Sequence, residues 1–335
     1  MRLFGSDRQG RLKLMAKVVR QMRVGILVTG ETEYYGMDLA LKQLFPDHLF
    51  DCLPVGKKSL PGMVLPTGFT SCQLSCEHIQ NPPEACLNLV ALAAQEVVGD
   101  RRTEAYDLVI ILDDLEICNA HQPRLVSEVM RMAVHKHLET LATCTGRIQD
   151  RTKQALKEKV SFHLVVPMIE AWFFIDEGAL QRAGVRSLES VAFGIDSDPE
   201  SFSTCDQSFL AADAAFCTAL AEQRRSCNKK NKPKWIDNAN RCRHPKGYLQ
   251  WLTRNPEHKR CTNYRESSHG ADALQKFDWR QVPTRPENHL GYLKAMVEDL
   301  EQGLGSRSVV NLGSPSSGVS TAIAQLARDP MLRNI

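Results

Sequence analysis

Residues 24–33 read VGILVTGETE, residues 108–116 read LVIILDDLE and residues 162–172 read FHLVVPMIEAW. Each stretch is a short apolar run rich in Val, Ile and Leu that ends in carboxylates. Runs of this length and composition suit strands buried on both faces of a parallel sheet. Acids placed just past such strands collect at the carboxyl edge of the sheet, where open α/β folds put their sites. Acids from separate strands meeting there suit a hard divalent cation such as Mg²⁺ or Mn²⁺, a common layout for phosphodiester chemistry.

Between these runs the pattern is helical. Residues 35–45 repeat apolar positions at helical spacing after the first run, and residues 47–55 read as a short second strand. Residues 56–68 hold three glycines and two prolines and read as loop. Residues 83–98 form a helix closed by Gly99, residues 123–137 form another, and residues 152–159 extend this layer. This β–α alternation implies an α/β fold, a mostly parallel sheet with helices on both faces. Past residue 180 the chain turns polar and irregular, then basic and mainly helical. The expected organisation is a basic arm over 1–20, an α/β core over 21–180, a basic, mainly helical region over 181–302, and a flexible, Gly/Ser-rich tail over 303–335.

Composition sets bounds. A chain of 335 residues can bury a sizeable core. With 43% hydrophobic and 24% charged residues and a net charge of +3, it reads as an ordinary water-soluble protein. No run of 18 apolar residues occurs, so no membrane span is expected. The basic N-terminus lacks the apolar segment of a secretory signal; its composition also fits a transit peptide, though a basic arm or first helix is the plainer reading. The eleven cysteines are scattered and odd in number, which argues against a disulfide framework and for a reducing, cytoplasmic setting. Neither a nucleophile elbow nor a P-loop is present.

The acids give the sharpest candidates. Asp113, directly after LVIIL, is the expected main metal ligand, with Asp114, Glu116 or Glu170 as helpers. Glu31 or Glu33 would act as general base or further ligand, so that Glu31, Asp113 and Glu170 form the expected catalytic set. The plainer alternative is that Glu31 and Glu33 favour the positive end of a helix and that Asp113 and Asp114 terminate a strand.

Gly30-Glu31-Thr32-Glu33, Asp113-Asp114-Leu115-Glu116 and Glu170-Ala171-Trp172 together resemble the toprim fold, and most closely the toprim-like proteins found beside ATPases in bacterial phage-defence loci. The likeness covers the first half of the chain. It continues more weakly through His244-Pro245-Lys246 and His269-Gly270-Ala271. It implies a toprim-like core, a metal-dependent phosphodiesterase or nuclease, a role in prokaryotic antiviral defence and an ATPase partner. Two positions depart from the pattern. Thr29 stands where such motifs carry Glu, and Leu115 stands where the second Asp of an Asp-x-Asp pair is usual. These departures point to the alternative, a degenerate, non-catalytic toprim-like protein that binds nucleic acid or a partner protein.

Residues 224–265 hold thirteen Lys or Arg against Asp237 and Glu257. Clustered cations of this kind bind phosphates, and Lys229, Lys230, Lys232, Lys234, Arg241, Arg243 and Lys246 are the expected nucleic-acid contacts, DNA or RNA. The interleaved Trp235, Tyr248, Trp251 and Tyr264 could stack on bases, although core packing is the favoured reading for them. Among Cys227, Cys242, His244, His258 and Cys261, the spacing Cys242-x-His244 is too tight for a typical zinc site while His258-x₂-Cys261 is acceptable; Cys72-x₃-Cys76, with His78 beside it, fits but has no clear second pair beyond Cys86, so free thiols are the default.

Overall fold

The computed structural model describes residues 20–54, 65–99, 104–142, 146–194, 196–212, 239–254, 264–315 and 330–335. Strand β1 (Arg23–Val28) lies between β2 (Leu49–Leu53) and β3 (Leu108–Asp114), and β4 (Val160–Val165) flanks β3. The order is β2-β1-β3-β4 and every pairing is parallel. Both faces are buried, which explains why the strands read as continuous apolar runs. The expected α/β class is therefore the one observed.

Side chains along each strand alternate between two cores. On one face, Val24, Ile26 and Val28 of β1 and Leu108, Ile110 and Leu112 of β3 meet helix α1 (Glu31–Leu44) through Tyr34, Met37, Ala40, Leu41 and Leu44. On the other face, Leu27, Val109 and Ile111 meet helices that follow the short α2 (Glu77–Gln80). These are α3 (Glu84–Val98), α4 (Pro123–Ala142) and α5 (Gly146–Lys159), the last leading straight into β4. From β1 the chain passes to β2 on one side, whereas β3 and β4 lie on the other. The carboxyl ends of β1 and β3 thus flank the point where strand order reverses, the place where sheets of this kind open a crevice.

The expected boundary near residue 180 does not separate two cores. Past β4 come α6 (Glu177–Arg182), α7 (Gln207–Leu210), α8 (Pro245–Leu252), α9 (Ala271–Gln275) and α10 (Gly291–Leu304). Their Leu180, Phe209, Tyr248, Leu249, Leu274, Leu293 and Leu300 belong to the same hydrophobic cluster as β1 and α1. Trp279 Nε1 donates to the Ala40 carbonyl at 3.0 Å. The reason is width: four strands about 4.8 Å apart exceed what one helix of about 10 Å can cover. The helices beyond residue 180 complete the layer that α1 begins.

The tail departs from expectation as well. Leu312, Leu332 and Ile335 are buried. The Arg333 amide donates to the Val160 carbonyl at 2.7 Å, and the Asn334 side chain accepts from the Phe162 amide at 3.0 Å and donates to its carbonyl at 2.6 Å. β4 is an edge strand with backbone groups to satisfy, and residues 333 and 334 satisfy them. Residues 316–329 lie outside the described residues. Among the described residues no helix is long and apolar enough to cross a membrane.

Candidate functional site at the carboxyl edge of the sheet

β3 continues through Asp113 and Asp114, so its period of two sends these neighbours to opposite faces. Asp113 points toward the α3 and α4 side and is 2% exposed. Thr29 Oγ1 donates to its Oδ1 at 2.6 Å and Thr70 Oγ1 to its Oδ2 at 3.1 Å, and the backbone amides of Phe69 and Thr70 also bond to it. Burial raises its pKa to about 6 against the pull of these donors. Leu115 lies in the core on the same side. The positions that depart from the toprim pattern, Thr29 and Leu115, therefore surround an aspartate that anchors the turn at Phe69–Ser71.

Asp114 faces the other way, into a crevice where Glu33 and Glu170 meet it. Glu33 comes from the first turn of α1 and Glu170 from the 3-10 turn Ile169–Ile175 after β4. Both are nearly fully buried. The Ile169 amide donates to Asp114 Oδ1 at 3.0 Å. The Glu33 carboxylate folds back over Gly30, against the position a Cβ there would take.

Three elements from the far half of the chain close the crevice. Tyr264 donates its hydroxyl to Glu170 Oε1 at 3.0 Å and lies 3.4 Å from Thr32 Oγ1. Lys246, in the first turn of α8, places Nζ 2.6 Å from Glu266 Oε1 and 3.9 Å from Glu170 Oε1. Glu266 opens the π-helical turn Glu266–Gly270 that feeds α9. A Cβ at Gly270 would lie 2.6 Å from both Thr32 Oγ1 and the Tyr264 hydroxyl.

Burial and mutual repulsion set the electrostatics. Glu33 is pushed up to about 8, by burial first and then by Glu170. Asp114 is raised well above the usual range by burial, then by Glu33, Glu116 and Glu170. Glu170 is raised by burial, with Lys246 pulling the other way. Lys246 is held in its charged form by Glu170 and Glu266 against the cost of burial. Carboxyls that keep protons near neutral pH can serve as general acids or bases, and a divalent cation is the other group that would relieve such crowding. Among the described residues, no three His, Cys, Asp or Glu side chains are arranged around a point that a metal ion could take.

Of the expected catalytic set Glu31, Asp113 and Glu170, only Glu170 lies in this crevice. Glu33, Asp114 and Glu170 converge. Glu116 lies near Asp114, on a residue with φ of 59°. Asp113, expected as main ligand, is turned away by the strand pleat. Glu31 is exposed on the outer side of the first turn of α1. Of the expected phosphate contacts, Lys246 reaches the acids, Arg241 donates to the Ala212 carbonyl, and Arg243 is exposed in the turn Arg241–Arg243. Lys229, Lys230, Lys232 and Lys234 lie outside the described residues, as does Trp235. Tyr248, Trp251 and Tyr264 are buried, and Tyr248 stacks on Phe174 with ring centroids 5.8 Å apart, so these aromatics pack the core.

Sequence reasoning placed Tyr264 among the core aromatics, not beside the acids, and missed Glu266. No local spacing links them to β3; their nearest signal was the His269-Gly270-Ala271 likeness that follows them. The turn of Asp113 away from Asp114 was available in the strand period itself. No family model matches this chain, and neither a curated protein nor a solved structure matches it.

Proposed function

We propose that this chain is a metal-dependent phosphodiesterase acting on nucleic acid, with Glu33, Asp114 and Glu170 as its working acids. The observation that supports this reading is the meeting of the buried Glu33 and Glu170 carboxyls with the half-buried Asp114, each at or just past the end of a different strand, beside the point where strand order reverses. Asp114 and Glu170 would hold Mg²⁺ or Mn²⁺, which supplies an activated water and charge stabilisation at the phosphate when bound. Glu33, whose carboxyl retains its proton near neutral pH, is suited to proton transfer. Tyr264 orients Glu170 through its hydroxyl. Lys246 offsets part of the negative charge and provides a cation beside the phosphate path, with the basic stretch 224–265 extending that path. The setting in prokaryotic defence and the ATPase partner rest on the family resemblance alone, and the cytoplasmic setting on the scattered cysteines.

A second reading is favoured by a specific observation. The toprim-pattern positions hold Thr29, a fully bonded Asp113 and Leu115, and no described acidic triple is arranged as a ligand set. Both fit a non-catalytic protein that binds nucleic acid or a protein partner through the same basic stretch.

Calorimetric titration with Mg²⁺ and Mn²⁺, run beside cleavage assays on single-stranded DNA, duplex DNA and RNA, separates the two. Saturable cation binding and cation-dependent cleavage, both weakened in Asp114→Asn and Glu170→Gln, are expected. Nucleic-acid binding with neither cation binding nor cleavage would overturn the phosphodiesterase reading in favour of the binding module.

A further inference from the structure

The strand end that carries Asp113 also brings two cysteines together. Cys72 follows the turn Phe69–Ser71 and is exposed; Cys118 lies in the turn Ile117–Asn119 after β3 and is half-buried. Asn119, fully buried, joins them. Its Nδ2 donates to the Thr70 carbonyl at 2.8 Å and the Cys72 carbonyl at 3.0 Å, and lies 3.5 Å from Cys118 Sγ. Cys118 Sγ in turn donates to the Thr70 carbonyl at 3.6 Å. The Asn119 Oδ1 accepts from the Leu74 amide at 2.9 Å. One amide side chain therefore clamps segment 70–74 against the turn of Cys118.

We propose that Cys72 and Cys118 form a redox-sensitive pair that closes into a disulfide on exposure to a peroxide. Cys72, being exposed, meets the oxidant first. Its thiolate sulfur attacks one peroxide oxygen, the O–O bond breaks, and Cys72 becomes a sulfenic acid as the peroxide leaves as water or an alcohol. The Cys118 thiol then attacks the Cys72 sulfur. The S–S bond forms, the S–O bond breaks, and hydroxide leaves and takes the Cys118 proton as water. The peroxide is reduced by two electrons and the two thiols are oxidised to one disulfide. Cys72 sits on exposed chain, so it can turn toward Cys118 without disturbing the core.

The cross-link would tie the segment that holds Asp113 through Thr70 to the loop that carries Glu116, a neighbour of Asp114. The redox state of the pair is thereby linked to the acid crevice, although the pair itself does not depend on the phosphodiesterase reading.

The test is to treat the full-length protein with hydrogen peroxide, block remaining thiols with N-ethylmaleimide, and map peptides by mass spectrometry with and without dithiothreitol. A dithiothreitol-sensitive cross-link between the Cys72 and Cys118 peptides is expected. It should persist in Cys76→Ser and vanish in Cys72→Ser and Cys118→Ser. In Cys118→Ser, Cys72 should instead accumulate as sulfenic acid trapped by dimedone, an outcome that folding defects would not produce. A Cys72–Cys76 cross-link, or Cys72 and Cys118 both recovered as maleimide adducts in the wild type, would overturn the proposal.

Discussion

The two sides of the sheet edge treat adjacent aspartates in opposite ways. On the α3 and α4 side, Asp113 is enclosed by two hydroxyls and two amides that all donate to it. On the α1 side, Asp114 receives one amide and otherwise faces carboxyls, with Lys246 as the nearby cation that counters them. Burial raises both. What differs is the company: donors stabilise the charged form and like charges oppose it. A carboxylate with its full set of donors is a structural anchor, whereas one crowded by other acids is poised for a proton or a cation.

The largest effect that would test this contrast is on activity. Asp114→Asn and Glu170→Gln are each expected to lower cation-dependent cleavage by about 10²–10³-fold, while Asp113→Asn, compared per folded molecule, retains most of it. Cleavage rates measured on the three purified variants would reverse the assignment if Asp113→Asn proved the inactive one.

Stability should show the opposite ranking. Asp113→Ala leaves two hydroxyls and two amides without their acceptor, and a loss of about 3 kcal/mol is expected. Asp114→Ala removes a repelled charge along with one acceptor and is expected to fall within about 1 kcal/mol of the wild type. Urea midpoints at pH 8 measure both, and equal losses would erase the distinction between the two faces.

The pH dependence sharpens it. Glu33 has a folded pKa of about 8 against an ordinary value of 4.5. Between those values the folded chain binds more protons than the unfolded one, so stability falls as pH rises through this window and the loss is complete above about pH 8. Glu33→Gln should flatten the slope there. Asp113, raised from 3.8 to about 6, has the same sign over a lower window, and Asp113→Asn should flatten that part alone. Denaturation midpoints followed from about pH 4 to about pH 9 would refute the assignment if Glu33→Gln left the upper slope intact.

The smallest effect on the fold is expected from the basic stretch. Replacing Lys229, Lys230, Lys232 and Lys234 with Ala should leave the Tm nearly unchanged. It should weaken nucleic-acid binding on all sequences and flatten its salt dependence by up to about four phosphate contacts. Lys246→Ala should weaken binding and also cost about 2 kcal/mol, because Glu170 and Glu266 lose their partner in a partly buried setting. An unchanged salt slope in the quadruple variant would reduce the stretch to a solvated surface and leave Lys246 as a structural ion pair.

The sequence by itself determined the strands, the α/β alternation, the parallel sheet and the arrival of acids at its carboxyl edge. These follow from short-range pattern: apolar runs too short for spans, helical periodicity between them, and charged residues where each run stops. The period of two also contained the split between Asp113 and Asp114, and the placement of Leu115 on the side of Asp113. Tertiary structure decided which of those sides gathers the acids. That choice depends on the chain past residue 180, which brings Lys246, Tyr264 and Glu266 to Glu170 while completing the layer that α1 begins. It also decided that residues 333 and 334 pair with β4, since an edge strand takes its hydrogen-bond partners from whatever chain can reach it. Contacts between residues so far apart in the chain leave no local spacing to read, because they are selected by the area each layer must cover and by the polar groups each edge must satisfy.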